Sequence, residues 1–137
     1  VAELLPGVIE WNRGPLGAKS GNPIEDPRAR IVCADVADVL KQEPAGFDAI
    51  MLDIDNGPEG LTQSANSWLY SVAGLGACAS ALRPGGILAV WSASMEQRFS
   101  KDLRKAGFDA EEIKVYAHGN RGPRHTIWLA TVASGTR

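Results

Sequence analysis

Long runs of like charge are missing from this chain, and so is any long apolar stretch. Its 137 residues hold 14 Lys and Arg against 16 Asp and Glu, a formal net charge of -2. Without a basic tract nothing electrostatic argues for nucleic acid, and without an apolar run of membrane-spanning length nothing argues for a bilayer. The expectation is a cytoplasmic protein with neither partner. Cysteine is scarce: Cys33 and Cys78 are the only two, too few for a disulfide framework. They fall in a predicted strand and a predicted helix, so free, buried thiols are expected. No metal-ligand spacing occurs, nor any Ser-His-Asp order or Cys-His pair with a supporting third group. What is present suits a folded core of single-domain length, 45% hydrophobic and 22% charged.

The chain is organised around Phe47 to Gly60. A short apolar run, the length of one buried strand, spills Asp53 and Asp55 into Asn56-Gly57-Pro58, which is turn chemistry. In an open parallel α/β sheet, ligands bind just outside the carboxyl ends of the strands. Asp53 and Asp55 are therefore expected at such a crevice.

The rest of the chain reads as alternating strands and helices. Val1-Ala2 ends a strand with Glu3 at its tip, and Pro6 opens a helix running to about Arg13 with Val8, Ile9 and Trp11. Gly14 to Pro27 is a loop that nothing orders strongly. Arg30 to Ala34 is a second buried strand, and Asp35 caps a helix over Val36–Gln42. Trp68, Val72, Leu75, Ala79 and Leu82 follow helical spacing, stopped by Arg83-Pro84-Gly85-Gly86. Ile87 to Trp91 is a strand buried on both faces. Ser94 and Gln97 form a capping box for a helix with Met95, Phe99, Leu103 and Ala106. Glu112 to Ala117 and Thr126 to Val132 are two strands around a His118–Pro123 loop, hence an antiparallel pair. This order predicts an α/β fold: a mostly parallel sheet, helices on both faces, closed by an antiparallel pair.

Glu3, Asp35 and Asp53 end three successive strands. Glu3 has an alternative role as a first-turn acid favoured by the helix dipole, and Asp35 one as a plain N-cap. Two neighbouring carboxylates repel unless a cation such as a protonated amine intervenes, which gives Asp53 and Asp55 a substrate reading; an Asx-type turn is the other reading for Asp55. Tyr70 starts near the same loop, as a surface residue or a substrate contact. Trp91 is a core aromatic or a crevice wall. His118 and His125 flank a hairpin loop with Arg121 and Arg124, where a histidine is usually structural or solvated.

The run from Val1 to Arg13, Cys33-Ala34-Asp35, Phe47 to Gly60 and Leu82-Arg83-Pro84-Gly85-Gly86-Ile87-Leu88 together resemble the spermidine synthase-like group of the class I S-adenosylmethionine-dependent methyltransferase superfamily. The resemblance implies a Rossmann-like fold and a cofactor, S-adenosylmethionine or its decarboxylated form. It implies that Glu3 holds the ribose hydroxyls, that Asp35 binds the adenine amino group with Val36 against the ring, and that Asp53 binds and deprotonates an attacking amine. Asp55 and Tyr70 would then contact that substrate. The family's second Asp stands three positions after the first; here Asp55 stands two after Asp53, and aminopropyl and methyl transfer both stay open. The chain begins at Val1, after the family's first strand and glycine-rich loop. It therefore reads as one N-terminally incomplete domain over 1–137, with open strand edges. Weak cofactor binding, or a strand borrowed from another copy in a homo-oligomer, is expected. The alternative is a non-catalytic binding or assembly module.

Overall fold

A computed structural model describes residues 1–54, 64–93 and 98–133. Two compact units divide the chain, residues 1–42 and 43–137.

The first unit is built on a short parallel ladder. Strand β1 (Ala2–Glu3) lies beside β2 (Val32–Cys33), with Ala2 opposite Val32 and Glu3 opposite Cys33. Helix α1 (Pro6–Arg13) starts at a proline whose fixed φ suits the first turn. It buries Ile9 and leaves Trp11 60% exposed. The loop after α1 is better ordered than its composition predicts. Two short 3₁₀ turns, Ala18–Ser20 and Pro23–Glu25, run through it. Arg28 then donates to Asp26 from its backbone N–H at 2.8 Å and from Nε and Nη2 at 2.9 and 2.7 Å. The Arg28 side chain holds the Asp26 carboxyl below its ordinary value. Helix α2 (Val36–Gln42) follows β2 and buries Leu40. Only two residues of the expected Arg30–Ala34 strand are in ladder, and β2 is half-buried at Val32 and exposed at Cys33 rather than buried. With one neighbouring strand, a parallel strand has half of its usual cover.

The second unit is a mixed sheet in the order β3-β4-β6-β5. Strands β3 (Phe47–Leu52) and β4 (Leu82–Ser92) are parallel and joined through helix α3 (Val72–Ala81). Helix α4 (Phe99–Lys105) leads to β5 (Phe108–His118), which turns back tightly into β6 (Arg121–Val132). Strand β6 is antiparallel to both β4 and β5. One face carries the core: Leu75 and Cys78 of α3 and Leu103 of α4 are fully buried, as are Leu88, Val90, Trp128 and Ala130 of the strands. Burial pushes the Cys78 thiol up to about 12, whereas Cys33 is exposed; both are free. The expectation of two buried thiols therefore holds for Cys78 alone.

The opposite face corrects three expectations at once. Met51 is 81% exposed and Ile87 42%, with Leu129 beside them in the same exposed row. The central strand and Ile87 to Trp91 are each buried on one face only, and helices on both faces are not found among the described residues of this unit. Strand β3 is also an edge strand, paired with β4 alone among the described residues.

The helix expected from Trp68 to Leu82 is two elements. A 3₁₀ turn covers Ser64–Tyr70, and Ser71 restarts the chain as N-cap of α3, its Oγ accepting from the Gly74 N–H at 3.2 Å. The buried row is consequently Gly74, Leu75, Cys78 and Ala81, leaving Val72 outside. Gly74 is required here, because a Cβ would stand 2.8 Å from the Leu69 Cα. The Arg83–Gly86 stop behaves as expected but lies within the β4 span as a bulge: Phe47 pairs with Leu82 and Ala49 with Ile87. Arg83 Nη1 clasps Asp48 at 2.7 and 2.8 Å across that bulge. The Ser94–Gln97 capping box and Met95 lie outside the described residues.

Candidate functional site

In the first unit the ladder brings two of the proposed acids to the carboxyl ends of adjacent parallel strands. The Glu3 carbonyl accepts from Ala34 N–H at 3.1 Å, so Asp35 stands one residue beyond a bonded level. Each carboxylate uses one oxygen locally: Glu3 Oε1 accepts from Leu5 N–H and Asp35 Oδ1 from Ala37 N–H, both at 2.8 Å. The Asp35 bond is a helix cap, as expected. Among the described residues, the second oxygen of each makes no hydrogen bond. Glu3 is half-buried and Asp35 exposed, with Val36 half-buried at the first turn of α2. Two acceptor-only carboxylates with an open oxygen suit hydroxyl and amino donors, and to that extent these residues fit a nucleoside cofactor.

In the second unit Asp53 follows β3 directly and is exposed. Its position is fixed from behind. Tyr70 is 6% exposed, and its hydroxyl donates to the Ile54 carbonyl at 2.8 Å. Tyr70 is thus no surface residue; it anchors the chain at the residue after Asp53. Its ring meets Phe99 edge-on at 6.0 Å, and Phe99 meets Trp128 edge-on at 5.0 Å. Trp128 Nε1 donates to Ser100 Oγ at 2.9 Å. An aromatic series thereby runs from the core to the end of β3. Asp55 lies outside the described residues.

Sequence reasoning left one pair unassigned. Trp91, near the end of β4, lies 5.1 Å from the His125 ring, tilted by 34°. Both are half-buried, and His125 Nδ1 is buried without a partner among the described residues. Trp91 opposes Ile127, and Val115 opposes His125; that register is what brings the two rings together, and no spacing along the chain announces it. A surface hollow of about 530 Å³ lies beside Phe108 and Val132 at the other end of this sheet. An apolar hollow of about 240 Å³ in the first unit is lined by Val1, Val8, Ile9 and Ile31 with Glu3 at its edge.

Residues 2–117 match the family described as Spermine/spermidine synthase domain. A polyamine aminopropyltransferase of Mycobacterium tuberculosis (strain ATCC 25618 / H37Rv) is 30% identical over 123 residues, 83% of this chain and 23% of that protein. The chain thus spans less than a quarter of this curated relative. Among solved structures, spermidine synthase from Thermotoga maritima aligns with a TM-score of 0.68 at 20% identity, over 96% of this chain and 44% of that one. The Burkholderia thailandensis 1,6-didemethyltoxoflavin-N1-methyltransferase, solved with S-adenosylhomocysteine, gives 0.64 at 16% identity, over 97% and 60%. These likenesses show a Rossmann-like α/β fold with a mixed sheet, shared with spermidine synthases and class I methyltransferases. Taken with the family match across most of its length, they establish that the chain belongs to the spermine/spermidine synthase family.

Proposed function

We propose that this chain is part of a transferase that moves an aminopropyl or methyl group from decarboxylated or ordinary S-adenosylmethionine to an amine. The observation that carries the reading is the placement of Glu3 and Asp35 at the ends of adjacent parallel strands, each with one carboxylate oxygen open in a chain of this family. Glu3 would hold ribose hydroxyls and Asp35 the adenine amine, beside Val36. The cofactor supplies an electrophilic carbon next to a sulfonium; the new bond is nitrogen to carbon, and the pair of the broken carbon–sulfur bond stays on sulfur.

What the chain itself supplies is a destination for the proton. An amine attacks only as its free base, and its nitrogen must shed a proton on becoming bonded to carbon. Asp53, exposed at the end of β3 and backed by the Tyr70–Ile54 bond, is the carboxylate we assign to take it.

The test is calorimetric titration of the 137-residue chain with S-adenosylmethionine, its decarboxylated form and methylthioadenosine. Removing a hydrogen bond to a charged group costs about 1.5–3 kcal/mol, roughly a ten- to hundredfold loss of affinity. Asp35→Ala and Glu3→Gln should each show such a loss. Asp35→Asn keeps one oxygen to cap α2 but turns an amide N–H toward the adenine amine, so it should keep the helix and show the same loss. Unchanged affinity in Asp35→Ala contradicts the assignment.

A second reading has its own observation. Both carboxylates already serve their own backbone, which is all a non-catalytic module of this fold would need. Such a module gives no heat with any of the three compounds.

A further inference from the structure

Side chains alternate along a strand, so buried Ile50 and Leu52 on β3 leave Ala49, Met51 and Asp53 to the opposite face. On β4 the same alternation sets Ile87, Ala89 and Trp91 on that face, against buried Leu88, Val90 and Ser92. Leu52 pairs with Val90, so Asp53, one residue past the last paired level, stands beside Trp91. One strand spacing, about 4.8 Å, separates the two backbones. Trp91 in turn pairs with Ile127 of β6. The carboxyl end of β3 thus brings a carboxylate, an indole and an aliphatic side chain together in one row.

The indole has a definite lean. His125 stands beyond the Ile127 level, towards the carboxyl end of β4, and its ring meets Trp91 at 5.1 Å, tilted by 34°. Trp91 therefore points to the end of the sheet that carries Asp53, not back over Ala89. His125 takes the side of the indole towards β6. Strand β4 lies between β3 and β6, so the other side of the ring looks towards Asp53. Trp91 is half-buried, which leaves part of that ring to be covered.

The face of an indole is the negative side of its quadrupole and attracts a cation within about 6 Å of the ring centre. A carboxylate one strand away attracts the same cation. Together they suit an alkylammonium group, whereas a neutral hydroxyl gains from the carboxylate alone. We propose that Trp91 is a binding residue of the acceptor site. Its open face takes the acceptor's ammonium group and the methylene beside it, while Asp53 accepts from the ammonium N–H groups. The pair selects cationic amines over neutral nucleophiles of the same skeleton. The alternative is a tryptophan that packs on His125 and touches no substrate. This assignment rests on the transferase reading above, with Asp53 at the amine end.

Butylamine and 1-butanol share a skeleton and differ in charge at neutral pH, so they separate the two. Each is titrated into the 137-residue chain with methylthioadenosine present, in wild type, Trp91→Leu and Trp91→Phe, alone and combined with Asp53→Asn. Leucine keeps apolar bulk without a ring face, and phenylalanine keeps a face. Trp91 is only half-buried, so both variants are expected to fold, and circular dichroism verifies that. Wild type should bind butylamine at least roughly tenfold tighter than butanol. Trp91→Leu should lose about fivefold or more for butylamine and Trp91→Phe less than about threefold, with butanol shifted less than about twofold in either. With Asp53→Asn the Trp91→Leu loss should shrink below about twofold, because an ammonium no longer held at β3 does not rest on the ring. Unchanged butylamine affinity in Trp91→Leu, an equal loss for butanol, a loss undiminished beside Asp53→Asn, or no binding of butylamine by wild type overturns the proposal. Methylthioadenosine affinity is read separately: its absence in wild type counts against the transferase reading, whatever the amine does.

Discussion

Trp128→Ala should unfold much of the second unit. The indole is fully buried in β6, with Val90 and Glu112 as its ladder partners on either side. Its ring takes Phe99 edge-on, and its N–H is satisfied by Ser100. Truncation removes this packing and leaves a cavity between α4 and the sheet, a change that costs about 3–5 kcal/mol. That is a large share of the roughly 5–15 kcal/mol holding a typical domain together. Trp128→Phe keeps an aromatic ring and forfeits the hydrogen bond, for a loss of about 1 kcal/mol from that bond. Urea unfolding followed by far-ultraviolet circular dichroism measures both. A Trp128→Ala loss below about 1 kcal/mol would show that the aromatic series from β6 to Tyr70 is not structural.

Asp53→Asn should leave cofactor binding alone and stop transfer. Asparagine matches aspartate in shape and still accepts a hydrogen bond, but it cannot take up the proton that the attacking nitrogen sheds. Loss of a positioned general base typically lowers a rate by about 10²–10⁴-fold. The measurement is product formation by mass spectrometry at saturating cofactor and amine, beside methylthioadenosine affinity by titration. The expected pair of results is a rate down by that factor and an affinity within about twofold of wild type. A rate within threefold of wild type would leave Asp53 as no more than the polar end of a strand.

Much of this was legible in the sequence wherever the determinant is local. Asp35 before an apolar helical run is a cap from its chemistry alone, and the structure has that bond. Pro6 placed the start of α1, and the Arg83–Gly86 run the end of α3. The ends of strands and the faces of the sheet were harder, because neighbours decide them. An apolar run such as Ile87 to Trp91 reads the same whether one face or both are covered, and only the fold reveals that Ile87 is exposed. Helical spacing from Trp68 to Leu82 concealed the restart at Ser71, whose hydroxyl competes for the backbone in a way periodicity does not register. The His118–Pro123 loop contracted to a tight turn, since its glycines let the two strands continue almost to the tip. The site divides the same way. The acids were visible as strand ends, whereas the Trp91–His125 pair exists only through register.

The most direct test of the central claim, that the acids at the strand ends hold the cofactor, is a residue-resolved one. Backbone amide resonances of the 137-residue chain are followed by NMR while S-adenosylmethionine is added. The account predicts saturable shifts at Glu3 to Leu5 and Asp35 to Ala37, where the open carboxylate oxygens and the capped turn lie, and loss of those shifts in Asp35→Ala. Shifts confined to other segments, or a spectrum that the ligand leaves unchanged at millimolar concentration, would contradict it.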